Sequence, residues 1–184
     1  MHDQPRYKAL GKSDFFDDKR MARPLVEGTV ARGELRDDEH LYTGKLGKEL
    51  ATTYPFPITA DVLRRGRERY TIYCTPCHGQ LGNGEGMVVQ RGFKRPTSFH
   101  IDRLRNAAPG YYFDVMTNGF GAMSDYSAQV PVNDRWAIAA YIQALQISQH
   151  APLSEVPEAR RGELQSSLGL AAGSGAAPAE KDHR

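Results

Sequence analysis

The chain has 184 residues with 40% hydrophobic and 25% charged side chains, which excludes a collagen-like or wholly disordered chain and sets a prior of one compact domain with appendages. Lys and Arg number 24 against 22 Asp and Glu, a formal charge of +2, too even a balance for a protein held on nucleic acid by phosphate contacts. It has no apolar run of about 18 residues, so no segment reads as a membrane-spanning helix.

The first 50 residues carry 20 charged side chains, 10 of each sign. Their larger apolar residues (Leu10, Phe15, Phe16, Leu25, Val26, Val30, Leu35, Leu41) keep neither a helical nor a strand period, and prolines and glycines interrupt them. Residues 1–57 therefore read as an extended, largely irregular arm that cannot bury enough apolar surface to fold alone. Its scattered aromatics favour docking on a partner over a plain linker. The opening MHDQPRYK lacks the apolar stretch of an export signal, which puts any signal or lipid attachment site outside the given sequence.

At Thr59 the pattern changes, and residues 58–150 read as a mainly α domain. Thr59 is placed to cap a helix whose inner face is Val62, Gly66, Tyr70 and Tyr73. Gly66 costs that helix up to about 1 kcal/mol of propensity, so a close contact with another element is expected there. A second helix is predicted around Tyr111–Met116, after Pro109-Gly110. A third starts from a cap at Asn133 or Asp134 and runs through Trp136, Ile138, Tyr141, Ile142 and Leu145. Three or four short helices joined by long loops give little core, and a buried cofactor would explain how such an arrangement holds together. After His150 periodicity is lost, and residues 151–184, with AAGSGAAPA at 171–179, read as a flexible tail.

Both cysteines of the chain lie in Cys74-Thr75-Pro76-Cys77-His78. Two cysteines exclude a disulfide framework, whereas a CxxCH pentapeptide reads as a c-type haem attachment site. Two thiols three positions apart on a helical turn can each add to a haem vinyl group, and the adjacent histidine is then held beneath the iron as an axial ligand. A thioredoxin-like CxxC needs a strand leading into the motif, and here a helix leads in. A structural zinc site needs four ligands, and there is no second cysteine pair.

For the sixth iron position Met123 is the candidate, in the loop Asn118-Gly119-Phe120-Gly121-Ala122-Met123, where two glycines give the backbone freedom to pass close to the ring. Met87 follows His78 too closely, Met116 falls in a predicted helix and reads as core packing, and Met21 belongs to the arm. His100 is the rival, since a bis-histidine site would lower the potential relative to Met/His. Pro96 is placed to offer a rigid backbone carbonyl to the His78 Nδ1 proton, fixing the ring and raising its basicity. Gly79, Gly82, Gly84 and Gly86 match neither phosphate-loop pattern and instead let the chain wind tightly against the haem edge. Arg91, Lys94, Arg95, Arg103 and Arg105 outnumber the single Asp102 between 91 and 105; they neutralise haem propionates, form a docking face for an acidic partner, or are a solvated basic loop.

CxxCHG, the later Gly-x-Met loop and a closing helix with an aromatic face resemble class I cytochromes c over about residues 58–148. In that family the first and last helices cross closely, a small residue on one accepting an aromatic from the other. The resemblance gives that role to Gly66 and Tyr70 against Ile138 and Tyr141. A narrower likeness reaches into the arm: HDQPRYKAL, SDFF, ARPLVEGTVARGEL, RGRERYTIYCTPCHG, QRGF, TNGFGAM and DRWAIAAYIQALQ together resemble the monohaem cytochrome c subunit of bacterial alternative complex III. That membrane assembly oxidises quinol and passes electrons to a soluble carrier or a terminal oxidase.

The resemblance implies one covalently attached haem c, held by Cys74 and Cys77 with His78 and Met123 as axial ligands. It also implies partner subunits of a membrane respiratory complex and a place on the periplasmic side of the bacterial inner membrane. Members are commonly lipoproteins anchored through an N-terminal cysteine; none precedes His2, so anchoring here is implied by the resemblance alone. With both axial positions filled the expected function is outer-sphere, one-electron transfer, not quinol catalysis by this chain itself. The alternatives are a freestanding periplasmic cytochrome c and the haem subunit of a periplasmic dehydrogenase.

Overall fold

The computed structural model describes residues 4–167, and the chain divides into two compact units between Asp38 and Glu39. Within the first unit, the described residues form no helix and one isolated antiparallel bridge, Lys12 with Arg20. The bridge closes a loop in which Ser13 N–H donates to Lys19 O (3.1 Å) and Met21 N–H to Gly11 O (3.1 Å), with Ser13 buried inside. Arg23 closes over the Phe16 ring, 4.0 Å from its centroid, and pairs with Asp18 at 2.7 Å. Most of the larger apolar side chains of this unit are left in the open, Leu10 at 98% exposure and Phe15 at 83%.

The second unit starts at Glu39, not at residue 58. A short helix α1 (Glu39–Thr43) leads into two strands, β1 (Lys45–Leu46) and β2 (Glu49–Leu50), paired antiparallel through Lys45 with Leu50 and Leu46 with Glu49. This segment belongs to the folded unit because the helices beyond it need its groups. The fully buried Trp136 donates its indole N–H to Leu41 O (2.8 Å), and Gly110 N–H donates to Ala51 O (2.9 Å). Tyr54 donates its hydroxyl to Gln143 (2.7 Å). Ala51, Phe113 and Trp136 form a small core covered by Leu41, Tyr54, Phe56 and Val132. The irregular arm expected over 1–57 thus gives up residues 39–57, whose apolar side chains lack a period because they cover other elements rather than one another.

The predicted helices are present with shifted ends. α2 (Ala60–Tyr73) is capped by Thr59, whose side chain accepts from Val62 N–H. It is followed by three single-turn helices, α3 (Thr75–His78), α4 (Met87–Gln90) and α5 (Asp102–Arg105). α6 (Pro109–Asn118) begins at the proline, whose missing N–H is no loss in a first turn. α7 (Val132–His150) starts before the expected cap: Pro131 holds the N-cap position, and Asp134, inside the first turn, turns its carboxylate to Arg65 of α2 at 2.8 Å instead of to the backbone. The aperiodic stretch after His150 holds a 3₁₀ turn at Leu153–Glu155 and a helix α8 (Glu158–Ser167), with Arg161 donating back to Val156 O and Ser154 O. The low-complexity run 171–179 lies outside the described residues.

α2 and α7 cross at Gly66, where a Cβ would stand 2.0 Å from Ala137 O and 3.0 Å from Tyr141 Cβ. Only glycine permits that approach. One turn on, Tyr70 meets Tyr141 with ring centroids 5.3 Å apart. The main core gathers around this crossing: Tyr70, Phe99, Leu104, Tyr112, Met116, Val130, Ile138, Ala139, Ile142 and Leu145. Among the described residues, no helix is long and apolar enough to cross a membrane.

Candidate haem site

Cys74 sits at the point where α2 ends, its N–H still donating to Tyr70 O at 2.9 Å. Its own carbonyl accepts from both Cys77 N–H (3.2 Å) and His78 N–H (2.8 Å), so the motif is one tight turn with both thiols free. Pro76 is tolerated there because the first turn of α3 has no use for its N–H. The chain then returns across the turn: Gly84 N–H donates to His78 O (2.9 Å) and Gly86 N–H to Cys77 O (3.1 Å). A Cβ at Gly86 would lie 2.1 Å from Pro76 O, so the return path is open to glycine alone. Tyr70 ties the turn to the core by donating its hydroxyl to Gly79 O at 2.7 Å.

Burial sets the protonation of the motif. The Cys74 thiol is pushed up to about 12, chiefly by desolvation and then by the nearby Cys77 charge. Desolvation lowers His78 to about 4, so its imidazole is neutral at pH 7 and keeps a lone pair for a metal. The His78 Nδ1 atom is buried without a hydrogen-bond partner. The ring is stacked on Phe99, centroids 4.6 Å apart and planes 12° from parallel. Phe99 is itself fixed, its N–H donating to Gly82 O (2.9 Å) and its carbonyl accepting from Gln146 of α7 (2.7 Å).

Met123 lies in the loop that follows α6. Phe120 and Met123 exchange backbone hydrogen bonds of 2.9 and 3.0 Å, and Tyr126 N–H returns to Met116 O at 2.8 Å. Met123, Cys74 and Tyr126 all pack, half-buried, against the main core. Burial raises the Tyr126 phenol, and the electrostatic influence of Cys77 and Cys74 raises it further. The rivals of Met123 are packed, bonded or exposed elsewhere. Met116 is buried in the main core, and Met87 is 58% exposed. The His100 Nε2 atom is bonded to Leu81 O at 2.6 Å, and its ring is stacked near His150.

The hydrogen bond expected between Pro96 and His78 Nδ1 is not made in this structure. The Pro96 carbonyl instead packs against Gly84, 2.4 Å from where a Cβ would stand, one residue contact away from the His78 backbone. In the basic stretch, Arg95 donates to Glu85 (3.0 Å) and Asn83 O (3.1 Å), Arg103 to Tyr111 (3.4 Å), and Arg105 faces Asp102 at 3.8 Å. Phe99 and Tyr126 carry no motif of their own, and only their aromatic character between glycine-rich turns marks them in the sequence.

The description "Cytochrome C oxidase, cbb3-type, subunit III" belongs to the family model that matches residues 61–142. The match and the mainly helical structure of this stretch agree with a class I cytochrome c fold. No curated protein matches the chain. Among solved structures, a chain of the reducing HAO-like protein complex of Kuenenia stuttgartiensis is similar at 20% identity and a TM-score of 0.45, covering 58% of this chain and 54% of its own. The present chain therefore spans about half of that one.

The cytochrome c domain carries haem c, covalently bound, and its residues fit that group. Two free thiols stand on one helical turn, a half-buried neutral imidazole with a buried, unpaired Nδ1 follows directly, and a thioether packs on the same core from another loop. Such a domain is an electron-transfer haem protein.

Proposed function

We propose that this chain is the monohaem cytochrome c subunit of a membrane quinol-oxidising respiratory complex of the alternative complex III kind. Within it, Cys74 and Cys77 would form the two thioether bonds, and His78 and Met123 would close the iron from either side. The haem supplies reversible one-electron chemistry. The protein's residues do the rest. Burial keeps His78 neutral, and Phe99 fixes the plane of its ring. The sulfur ligand and the apolar core around Tyr70, Phe99 and Met116 favour the reduced state and a comparatively high potential. Pro96, whose carbonyl packs against Gly84, would be the acceptor for the His78 Nδ1 proton.

The observation that carries the partner reading is the first unit. Its apolar side chains Leu10, Phe15, Leu25, Val26 and Leu35 are all more than 60% exposed, and such side chains gain their stabilisation by docking on another surface. The partners proposed are the other subunits of the complex and, as electron acceptor, a soluble carrier or a terminal oxidase on the periplasmic side. Membranes solubilised in mild detergent and separated on a native gel provide the test. The expected result is this chain's haem stain in a large band that oxidises quinol. Recovery of the chain as a lone soluble haem protein, or bound to a soluble dehydrogenase, would overturn the proposal in favour of a freestanding carrier or a dehydrogenase subunit.

A further inference from the structure

The loop that carries Met123 is short and is anchored at both ends to the last turn of α6: Gly119 N–H donates to Val115 O (2.9 Å) and Tyr126 N–H to Met116 O (2.8 Å). The position of that last turn therefore decides where the thioether is held. α7 reaches it through Arg135, which is only 5% exposed. Its Nη1 donates to the Thr117 hydroxyl, and its guanidinium lies over the Phe113 ring, 4.7 Å from the centroid. Thr117 in turn donates its hydroxyl to Phe113 O at 2.7 Å, so side chain and backbone of the turn are held together. Beneath Arg135 the support is rigid, because Phe113 stacks on Trp136 with centroids 4.6 Å apart. Burying a guanidinium is costly unless its N–H groups are met by groups held in place, and one of those groups, the Thr117 hydroxyl, belongs to the turn from which the Met123 loop departs.

We infer that Arg135 and Thr117 form a positioning clamp that fixes the Met123 loop on the α2–α7 core, so that the thioether is held where it would ligate the iron. The inference rests on Met123 being the sixth ligand. Both residues act through the last turn of α6. An unclamped turn lets the loop open more often, and an exogenous ligand then competes more easily for the iron.

The experiment measures imidazole binding to the haem-loaded, oxidised full chain, with helical circular dichroism on the same samples to follow global stability. Thr117→Val keeps the shape of the side chain and removes its hydroxyl. It should bind imidazole about tenfold more tightly, the scale of one lost hydrogen bond, and Thr117→Ser should return to the wild-type affinity. Arg135→Lys, which loses the planar fork, should resemble Thr117→Val. Unchanged imidazole affinity in Thr117→Val overturns the clamp whatever its effect on stability, as does a rise that Thr117→Ser shares; Thr117→Val decides alone if Arg135→Lys does not fold. Met123→Ala separates the two readings. It should bind imidazole most tightly of all, and if its affinity equals that of the wild type then the ligand assignment, not the clamp geometry, is what has failed.

Discussion

Gly66 of α2 faces the backbone of Ala137 on α7 so closely that a methyl group at Gly66 would lie 2.0 Å from the Ala137 carbonyl oxygen and 2.6 Å from its carbon. The two helices meet backbone to backbone at this point. The contact brings Tyr70 onto Tyr141 one turn later and so fixes where α2 ends and Cys74 begins.

Gly66→Ala should therefore destabilise the protein even though alanine is the better helix former. The propensity gain is about 1 kcal/mol, and an overpacked contact that only backbone movement can relieve costs about 3 kcal/mol. Guanidinium unfolding of the haem-loaded protein, followed by helical circular dichroism, should show a net loss of about 2 kcal/mol. A neutral or stabilised variant would mean that the helices do not cross at this residue.

That crossing was legible in the sequence as a glycine at a helical core position, because its cost demanded a compensating contact. The CxxCH turn was legible for a similar reason: the residue types and their spacing leave little other chemistry. Segment 39–57 was not, since Leu41, Ala51, Tyr54 and Phe56 are spaced by the surface of α6 and α7 that they cover and not by a period of their own. The start of α7 was displaced because Asp134, a good capping residue, is drawn instead to Arg65 across the crossing. Phe99 escaped notice because its role is set by a stacking partner that lies far away in the sequence.

Shortening the chain tests the reassigned boundary. A chain beginning at Glu39 retains the groups that cover Trp136, whereas one beginning at residue 58 leaves its indole N–H without Leu41 O and Gly110 N–H without Ala51 O. Each buried donor left unsatisfied costs about 2 kcal/mol, and the apolar cover of Leu41, Tyr54 and Phe56 is lost as well. Thermal unfolding of the two haem-loaded chains should show the shorter one melting well below the longer. Equal midpoints would return residues 39–57 to the arm.

Gln146 offers a second buried polar link. Its amide donates to Phe99 O at 2.7 Å and to the Tyr112 hydroxyl at 2.8 Å, and Tyr112 in turn donates to Leu104 O at 2.6 Å. Gln146→Leu conserves much of the volume and strips Phe99 O of this donor, which should cost about 2 kcal/mol in chemical unfolding. Because Phe99 is stacked on His78, the same substitution should also shift the reduction potential, whereas a change confined to stability would show that Phe99 does not need Gln146 to hold the imidazole.

The choice between Met123 and His100 as sixth ligand turns on which side chain is available. His100 has its Nε2 committed to Leu81 O at 2.6 Å. Met123 makes no such side-chain commitment in a loop packed, with Cys74, on the main core. Met/His ligation in an oxidised c-type haem gives a weak methionine-to-iron absorption at about 700 nm, so wild type and His100→Ala should both show it. Met123→Ala should lose that absorption, fall in potential, and bind carbon monoxide when reduced, since its sixth position is open. A band that survives Met123→Ala, or that disappears with His100→Ala while the fold persists, would move the ligand to another residue. The geometry favours the thioether because bringing His100 to the iron would break its bond to Leu81 and pull its ring from beside His150, whereas Met123 already lies in the loop that Gly119 turns toward the core.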